Sequence, residues 1–314
     1  MLADRLTVNP GQLAQRVEAV LAGTAVEHSA VDGIDLTDAV ETYRAAGRAA
    51  LDCRQERAWF QARITWPEWV DAESVFAAHV APRLDDVRDG PAWWFLRKYP
   101  HWRLRVRTCD HRAVETLLDD LSSAGTIAGW QPGIYEAETA AFGGEVAMAI
   151  VHDLFCADSR GVLTYARQHT PPLGRRELSL LLLQALNRHA GLDWFEIGDV
   201  FARVAQMRPT PADHDTPGID ALAAKVHPVL ASDITTEMPL FTRGGPVAYA
   251  ADWLAAFIQA GRLLGEAAAT GRLDRGLRAA LAQIVIFHWN RLGLPAHTQG
   301  ILAHAAKAAT LPRS

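Results

Sequence analysis

The sequence predicts an α+β fold: a small early β-sheet with helices packed on it, a predominantly helical second half, and an N-terminal helical extension. Two observations carry this. The segments that read as strands, rich in aromatic and β-branched residues, cluster between about residues 57 and 135, whereas almost everything from about Glu145 onward reads as helical. Strands first and helices later is the order of an α+β chain, not of an alternating α/β one.

The elements follow in order. Residues 1–52 read as a helical extension, with Leu13, Val17, Val20 and Leu21 recurring at helical spacing after Pro10. A second helix is expected after Asp35, with Thr37 or Asp38 near its cap, and Gly23 to Gly33 as the loop between the two. The main domain spans 53–314. Residues 57–66 read as a strand ended by Pro67, and 73–87 as a helix that Pro82 kinks or divides. Trp93–Arg97 and Arg103–Thr108 read as two strands joined near Tyr99-Pro100, 110–123 as a helix, and Gly129–Tyr135 as a further strand. Helices are then expected over 145–168, 175–190, 194–206, 219–231, 246–269, 274–292 and 296–310, with breaks at Pro171-Pro172, Gly191, Pro209–Gly218 and Arg243–Pro246.

Composition bounds the function. At 314 residues and 49% hydrophobic, the chain can bury a sizeable core without staples. Three cysteines, Cys53, Cys109 and Cys156, are far apart and odd in number, so neither a disulfide framework nor a zinc site is expected. The first residues lack the apolar core of a signal peptide, and no apolar run approaches the ~20 residues of a membrane span. A cytoplasmic protein is therefore expected. The net charge of −5 argues against broad nucleic-acid binding.

Three stretches stand out. Between Asp89 and Asp110 the chain holds five certain cations, Arg97, Lys98, Arg103, Arg105 and Arg107, together with His101, and no acid. On a strand, Arg103, Arg105 and Arg107 point one way and Leu104 and Val106 the other. Like charges side by side call for acidic neighbours or an anionic ligand, and guanidinium forks suit carboxylates and phosphates. The neighbouring tryptophans read as core. The second stretch, Phe287-His288-Trp289-Asn290-Arg291, follows apolar Ile284–Ile286 and reads as buried; His288 is either a general acid or base or a hydrogen-bonded core histidine. The third, Tyr135 to Gly144, carries Glu136 and Glu138, which could balance the arginine row. It leads into a helix with His152 and Asp153, on which Asp158-Ser159-Arg160 reads as surface. No Gly-rich phosphate loop, HExxH or nucleophile elbow appears, so no cofactor and no metal is expected.

Together these stretches resemble the C-terminal, elimination domain of lantibiotic dehydratases, in the free-standing form called thiopeptide-type bacteriocin biosynthesis protein. WWFLRKYPHWRLRVR is similar to that family's block ending His-x-Arg-x-Arg, YEAETAAFGG with HDLFCADS to its Tyr-Glu-x-Glu…Tyr-Gly-Gly block, and FHWNRL to its closing His-x-Asn-Arg-Leu block. Three departures stand out: Ala141 occupies the place of an arginine that often precedes Tyr-Gly-Gly, Phe142 that of its tyrosine, and Ile284 or Ile286 that of a further histidine that the closing block often carries upstream. The resemblance implies β-elimination of glutamate from a glutamylated Ser or Thr of a precursor peptide, leaving dehydroalanine or dehydrobutyrine. It implies His288, Arg103 and Arg105 as catalytic residues, and Arg97, Lys98, His101, Glu138, Asn290 and Arg291 as substrate-binding ones. The partners it implies are a precursor peptide of leader plus core and a separate glutamylating dehydratase subunit. Two alternatives stand beside elimination: a formal 4+2 cycloaddition of dehydroalanines, and a non-catalytic role binding the precursor for a split dehydratase.

Overall fold

The computed structural model describes residues 10–23, 35–57, 59–87, 91–108, 110–208 and 216–311. The chain divides into two compact units, Met1–Ala58 and Trp59–Ser314.

The first unit holds helices α1 (Pro10–Leu21) and α2 (Leu36–Arg57). Val17, Leu36 and Val40 form its buried cluster, with Leu13 and Val20 packed around them. The Asp35 carboxylate accepts from the Thr37 N–H at 2.8 Å, so Asp35 caps α2, not Thr37 or Asp38. The helix continues to Arg57, past the expected boundary at 52. Most of the expected Gly23–Gly33 loop lies outside the described residues, as does Cys109.

The second unit is built on a four-stranded antiparallel sheet of order β2-β3-β1-β4, with β1 Trp59–Thr65, β2 Ala92–Lys98, β3 His101–Arg107 and β4 Gly129–Gly133. Strand β4 stops two residues before the expected end at Tyr135. The Gln61 side chain donates to the Ile134 carbonyl at 2.8 Å, and backbone pairing with β1 ends at Gly133.

Between β1 and β2 the chain forms α3 (Ala72–Val75), a π-helical turn (Phe76–Val80) and α4 (Ala81–Asp85). Pro82 does divide the expected helix: it has no N–H to donate, and the wide turn sits directly ahead of it. Helix α5 (His111–Ser123) is capped by Asp110, which accepts from the Ala113 N–H at 3.0 Å. The rest is helical: α6 (Thr139–Phe142), α7 (Glu145–Ala166), α8 (Arg175–His189), α9 (Trp194–Met207), α10 (Thr216–Ala231), α11 (Ala251–Ala269), α12 (Leu277–Arg291) and α13 (Ala296–Thr310).

Both faces of the sheet are used. One face presents Phe60, Ala62, Ile64, Trp93, Phe95, Trp102, Leu104 and Val106, all buried. Phe76 packs there against Trp93, Phe95 and Trp102, with ring centroids 5.1–5.7 Å apart. Helix α7 covers one end of the other face, with Phe155 4.9 Å from Trp94 and His152 4.7 Å from Trp59, centroid to centroid. The outer edge of β2 is closed by side chains: the Phe95 N–H donates to Ser159 Oγ at 3.1 Å, and Arg291 Nε donates to the Phe95 carbonyl at 3.0 Å. An edge strand so covered offers no free backbone for strand addition there. Among the described residues no helix is long and apolar enough to cross a membrane.

Candidate functional site

The strand register gathers the cations. Arg103 on β3 lies between Arg63 on β1 and Leu96 on β2; Arg105 lies between Gln61 and Trp94; Arg107 lies between Trp59 and Ala92. The expected same-face row of three arginines is therefore present, and Arg63 joins it. That residue drew no attention in the sequence, because only cross-strand pairing sets it beside Arg103. His101 and Lys98 pair at the far end of the same face, with His101 Nδ1 3.1 Å from Thr65 Oγ1. Among the described residues none of Arg63, Arg103, Arg105 and Arg107 forms an ion pair. Glu136 and Glu138 are exposed and pair with none of them.

Arg105 is the buried member, at 5% exposure. Its Nε donates to Gln61 Oε1 at 3.0 Å, and its guanidinium lies 4.1 Å from the Trp94 ring centroid and 5.0 Å from that of Tyr135. Its Nη1 is buried with no hydrogen-bond partner among the described residues. Burial pushes its pKa down to about 10; Tyr135 and Glu138 act against this, and the charges of Arg103 and Arg291 with it. It stays cationic at neutral pH. A buried guanidinium with an orphan donor and no carboxylate is costly unless an anion can meet it.

Next to it stands His152, which the sequence placed on a helix but gave no role. Its Nε2 lies 2.7 Å from the Tyr135 hydroxyl. Burial, then the Arg107 and Arg105 charges, push its pKa down to about 4, so the ring is neutral at pH 7.

Arg97 lies on the opposite face of the sheet. Its guanidinium stacks 4.7 Å from the Trp102 centroid and pairs with Glu73, which Arg175 also holds. Burial raises the Glu73 pKa, but hydrogen bonds and charge from Arg175 and Arg97 outweigh it and leave the carboxyl below its usual range. Asn290 is turned toward α13, accepting from Gln299 Nε2 at 2.9 Å.

The closing block forms a node in the core. His288 has 0% exposure. Its Nδ1 lies 2.9 Å from Asp158 Oδ1 and its Nε2 3.0 Å from Ser179 Oγ, so both ring nitrogens are engaged within the protein. Asp158 also accepts from Trp253 Nε1 at 2.9 Å and pairs with the fully buried Arg291. Asp158 and Ser159 are thus core residues, not the helix surface that Asp158-Ser159-Arg160 suggested; only Arg160 is exposed. The reason is the partner set: α7 turns this carboxylate toward a cation and two N–H donors, which offsets the cost of burying it. Trp253 reaches Asp158 because residue 161 is glycine, and a Cβ there would sit 2.2 Å from the indole. Gly161→Ala should cost about 1–3 kcal/mol, read by urea unfolding, through this overlap.

Trp94 links the two sites. Its ring contacts the Arg105 guanidinium on one hand and lies 5.7 Å from that of Arg291 on the other. Near the start of α7, Arg275 Nη1 donates to the Ala141 carbonyl at 2.8 Å, so a guanidinium reaches the position where the sequence departs from the pattern it resembles.

Comparisons with known proteins agree with this architecture. One solved structure with the same fold is the tRNA-dependent lantibiotic dehydratase MibB from Microbispora sp. 107891, at a TM-score of 0.55 and 19% identity over 80% of this chain. This chain spans 28% of MibB. Two others are matched over nearly their whole length: TbtD, the pyridine synthase from thiomuracin biosynthesis (TM-score 0.52, 14% identity, 80% of this chain and 97% of that one), and TsrL (TM-score 0.52, 14% identity, 82% and 99%). No curated protein matches. The family described as lantibiotic biosynthesis dehydratase C-term matches residues 59–310, the second compact unit almost end to end. The chain therefore belongs to the lantibiotic biosynthesis dehydratase C-terminal family.

Proposed function

We propose that this protein modifies a ribosomally made precursor peptide by eliminating glutamate from glutamylated Ser or Thr, leaving dehydroalanine or dehydrobutyrine. The observation that carries the reading is Arg105: a buried guanidinium whose Nη1 has no hydrogen-bond partner among the described residues, set in a row of three further arginines that form no ion pairs among them. Elimination develops negative charge twice, on the enolate formed when Cα loses its proton and on the departing glutamate carboxylate. Fixed cations in a partly dry site stabilise both without reorganising.

In this reading Arg105 and Arg103 face the developing charge, and Arg63, Lys98 and His101 extend the same surface for the rest of the peptide. Glu138, exposed near Arg105, borders it and meets the peptide's cationic groups. Arg97 and Arg291 act as positioning residues for β2, the edge that carries Trp94, Arg97 through Glu73 and Arg291 through the Phe95 carbonyl; His288 supports the buried node through Asp158, and Asn290 is turned toward α13. In this reading the glutamyl group is supplied by a separate glutamylating dehydratase subunit.

A second reading, cycloaddition of two dehydroalanines, is favoured by Ala141, which leaves that part of the site without its own cationic side chain. The two are separated by giving the protein two synthetic peptides. One carries a glutamyl ester of serine, the other two dehydroalanines. Mass spectrometry should find loss of glutamate from the first and no new ring in the second; ring formation without glutamate loss would reverse the order of the two readings.

A further inference from the structure

The elimination reading names an anion-binding row but leaves open which group removes the Cα proton. His288 is poorly placed for it, since Asp158 and Ser179 occupy both of its nitrogens and it has no exposed surface. His152 is placed differently. It is half-buried on the second turn of α7, on the face of the sheet that carries Arg105. One nitrogen, Nε2, meets the Tyr135 hydroxyl at 2.7 Å; Nδ1 has no hydrogen-bond partner among the described residues. The ring is framed by Trp59 at 4.7 Å and Trp94 at 6.4 Å between centroids, and Arg105 stacks on the Trp94 and Tyr135 rings of the same cluster.

We propose that His152, held by Tyr135, accepts the Cα proton of the glutamylated residue; this rests on the elimination reading. With Nε2–H donating to the Tyr135 oxygen, Nδ1 carries the ring's lone pair and is the atom that takes the proton. The Cα–H bond breaks, its proton goes to Nδ1, and its electron pair enters the enolate that Arg105 faces. The pair then returns to form the Cα–Cβ double bond as the Cβ–O bond breaks, and glutamate leaves as its carboxylate. The proton on Nδ1 passes to solvent. No oxidant, reductant or further reactant is needed. The depressed pKa supports the geometry: a ring kept neutral by burial and two neighbouring arginines keeps its lone pair at neutral pH. The same arginines limit how strong a base it is, so the enolate must be stabilised as it forms, which is what Arg105 supplies.

The test uses the full chain and the glutamyl-ester peptide. His152→Gln should bind the peptide as wild type does and keep its melting temperature, while glutamate release falls about a hundredfold or more. His152→Ala should be equally slow and should regain rate when imidazole is added, a response that a purely structural histidine does not give. Release by His152→Gln within threefold of wild type overturns the proposal and leaves the elimination reading standing. So does an Ala variant that folds and binds but is not rescued. If wild type itself releases no glutamate, the elimination reading fails, and this proposal with it.

Discussion

Truncating Asp158 to alanine should lower the unfolding free energy by about 3–5 kcal/mol, the loss expected when one partner of a buried ion pair is removed. The carboxylate is 1% exposed and ties α7 to α11 through Trp253 and to α12 through His288 and Arg291. Without it, a fully buried guanidinium has no counter-charge, and a buried indole N–H loses its acceptor. Arg291 also donates to the Phe95 carbonyl, so the disturbance reaches the edge of β2. Replacing both charges together, Asp158→Leu with Arg291→Met, should restore much of the loss, because no unpaired charge remains. Urea unfolding of the two variants checks this. An Asp158→Ala variant within about 1 kcal/mol of wild type would mean that water or rearrangement satisfies Arg291 and that the node is not a structural anchor.

The same group sets a pH dependence. Burial raises the Asp158 pKa, but His288 and Arg291 together outweigh it and hold the carboxyl below its ordinary value. A depressed folded-state pKa gives stability that is present above the unfolded value of about 3.9 and is lost as pH falls through the folded one. Unfolding of the wild type should therefore steepen below about pH 4, and Asp158→Ala should flatten that acid limb.

Much of the fold was legible because its signals are local. Aromatic and β-branched content located the strands, helical spacing the helices from α7 onward, and Pro82 announced the break that the π-helical turn makes. What sequence could not supply was pairing. Arg63 became part of the cationic row only through its register with Arg103, and His152 became a candidate only when α7 laid it against Trp59 and Tyr135. Asp158-Ser159-Arg160 misled for the same reason: a polar triplet in a helix looks solvated until a histidine and an arginine distant in the chain are brought to it. His288 shows the limit from the other side. Its apolar neighbours announced burial, and a buried histidine near an arginine fits a base and a core node equally well until its two partners are seen.

Arg105 carries the largest expected effect on chemistry. Removing one preorganised charge donor from a site that stabilises an oxyanion costs about 10²–10³-fold in turnover. Here the donor is cationic, stacked on Trp94 and held by Gln61, so it cannot be replaced by a mobile neighbour. Arg105→Gln should remove the charge and relieve an uncompensated burial, leaving melting temperature level or slightly raised. His288→Asn should do the reverse, losing stability while each folded molecule turns over near the wild-type rate. The decisive measurement is glutamate release from the glutamyl-ester peptide by these two variants, each normalised to folded protein. The account predicts a loss of about 10²–10³-fold for Arg105→Gln and a change of less than about threefold for His288→Asn. Turnover retained by Arg105→Gln and abolished in folded His288→Asn would contradict it, and would move the reacting centre from the cationic face of the sheet to the buried node.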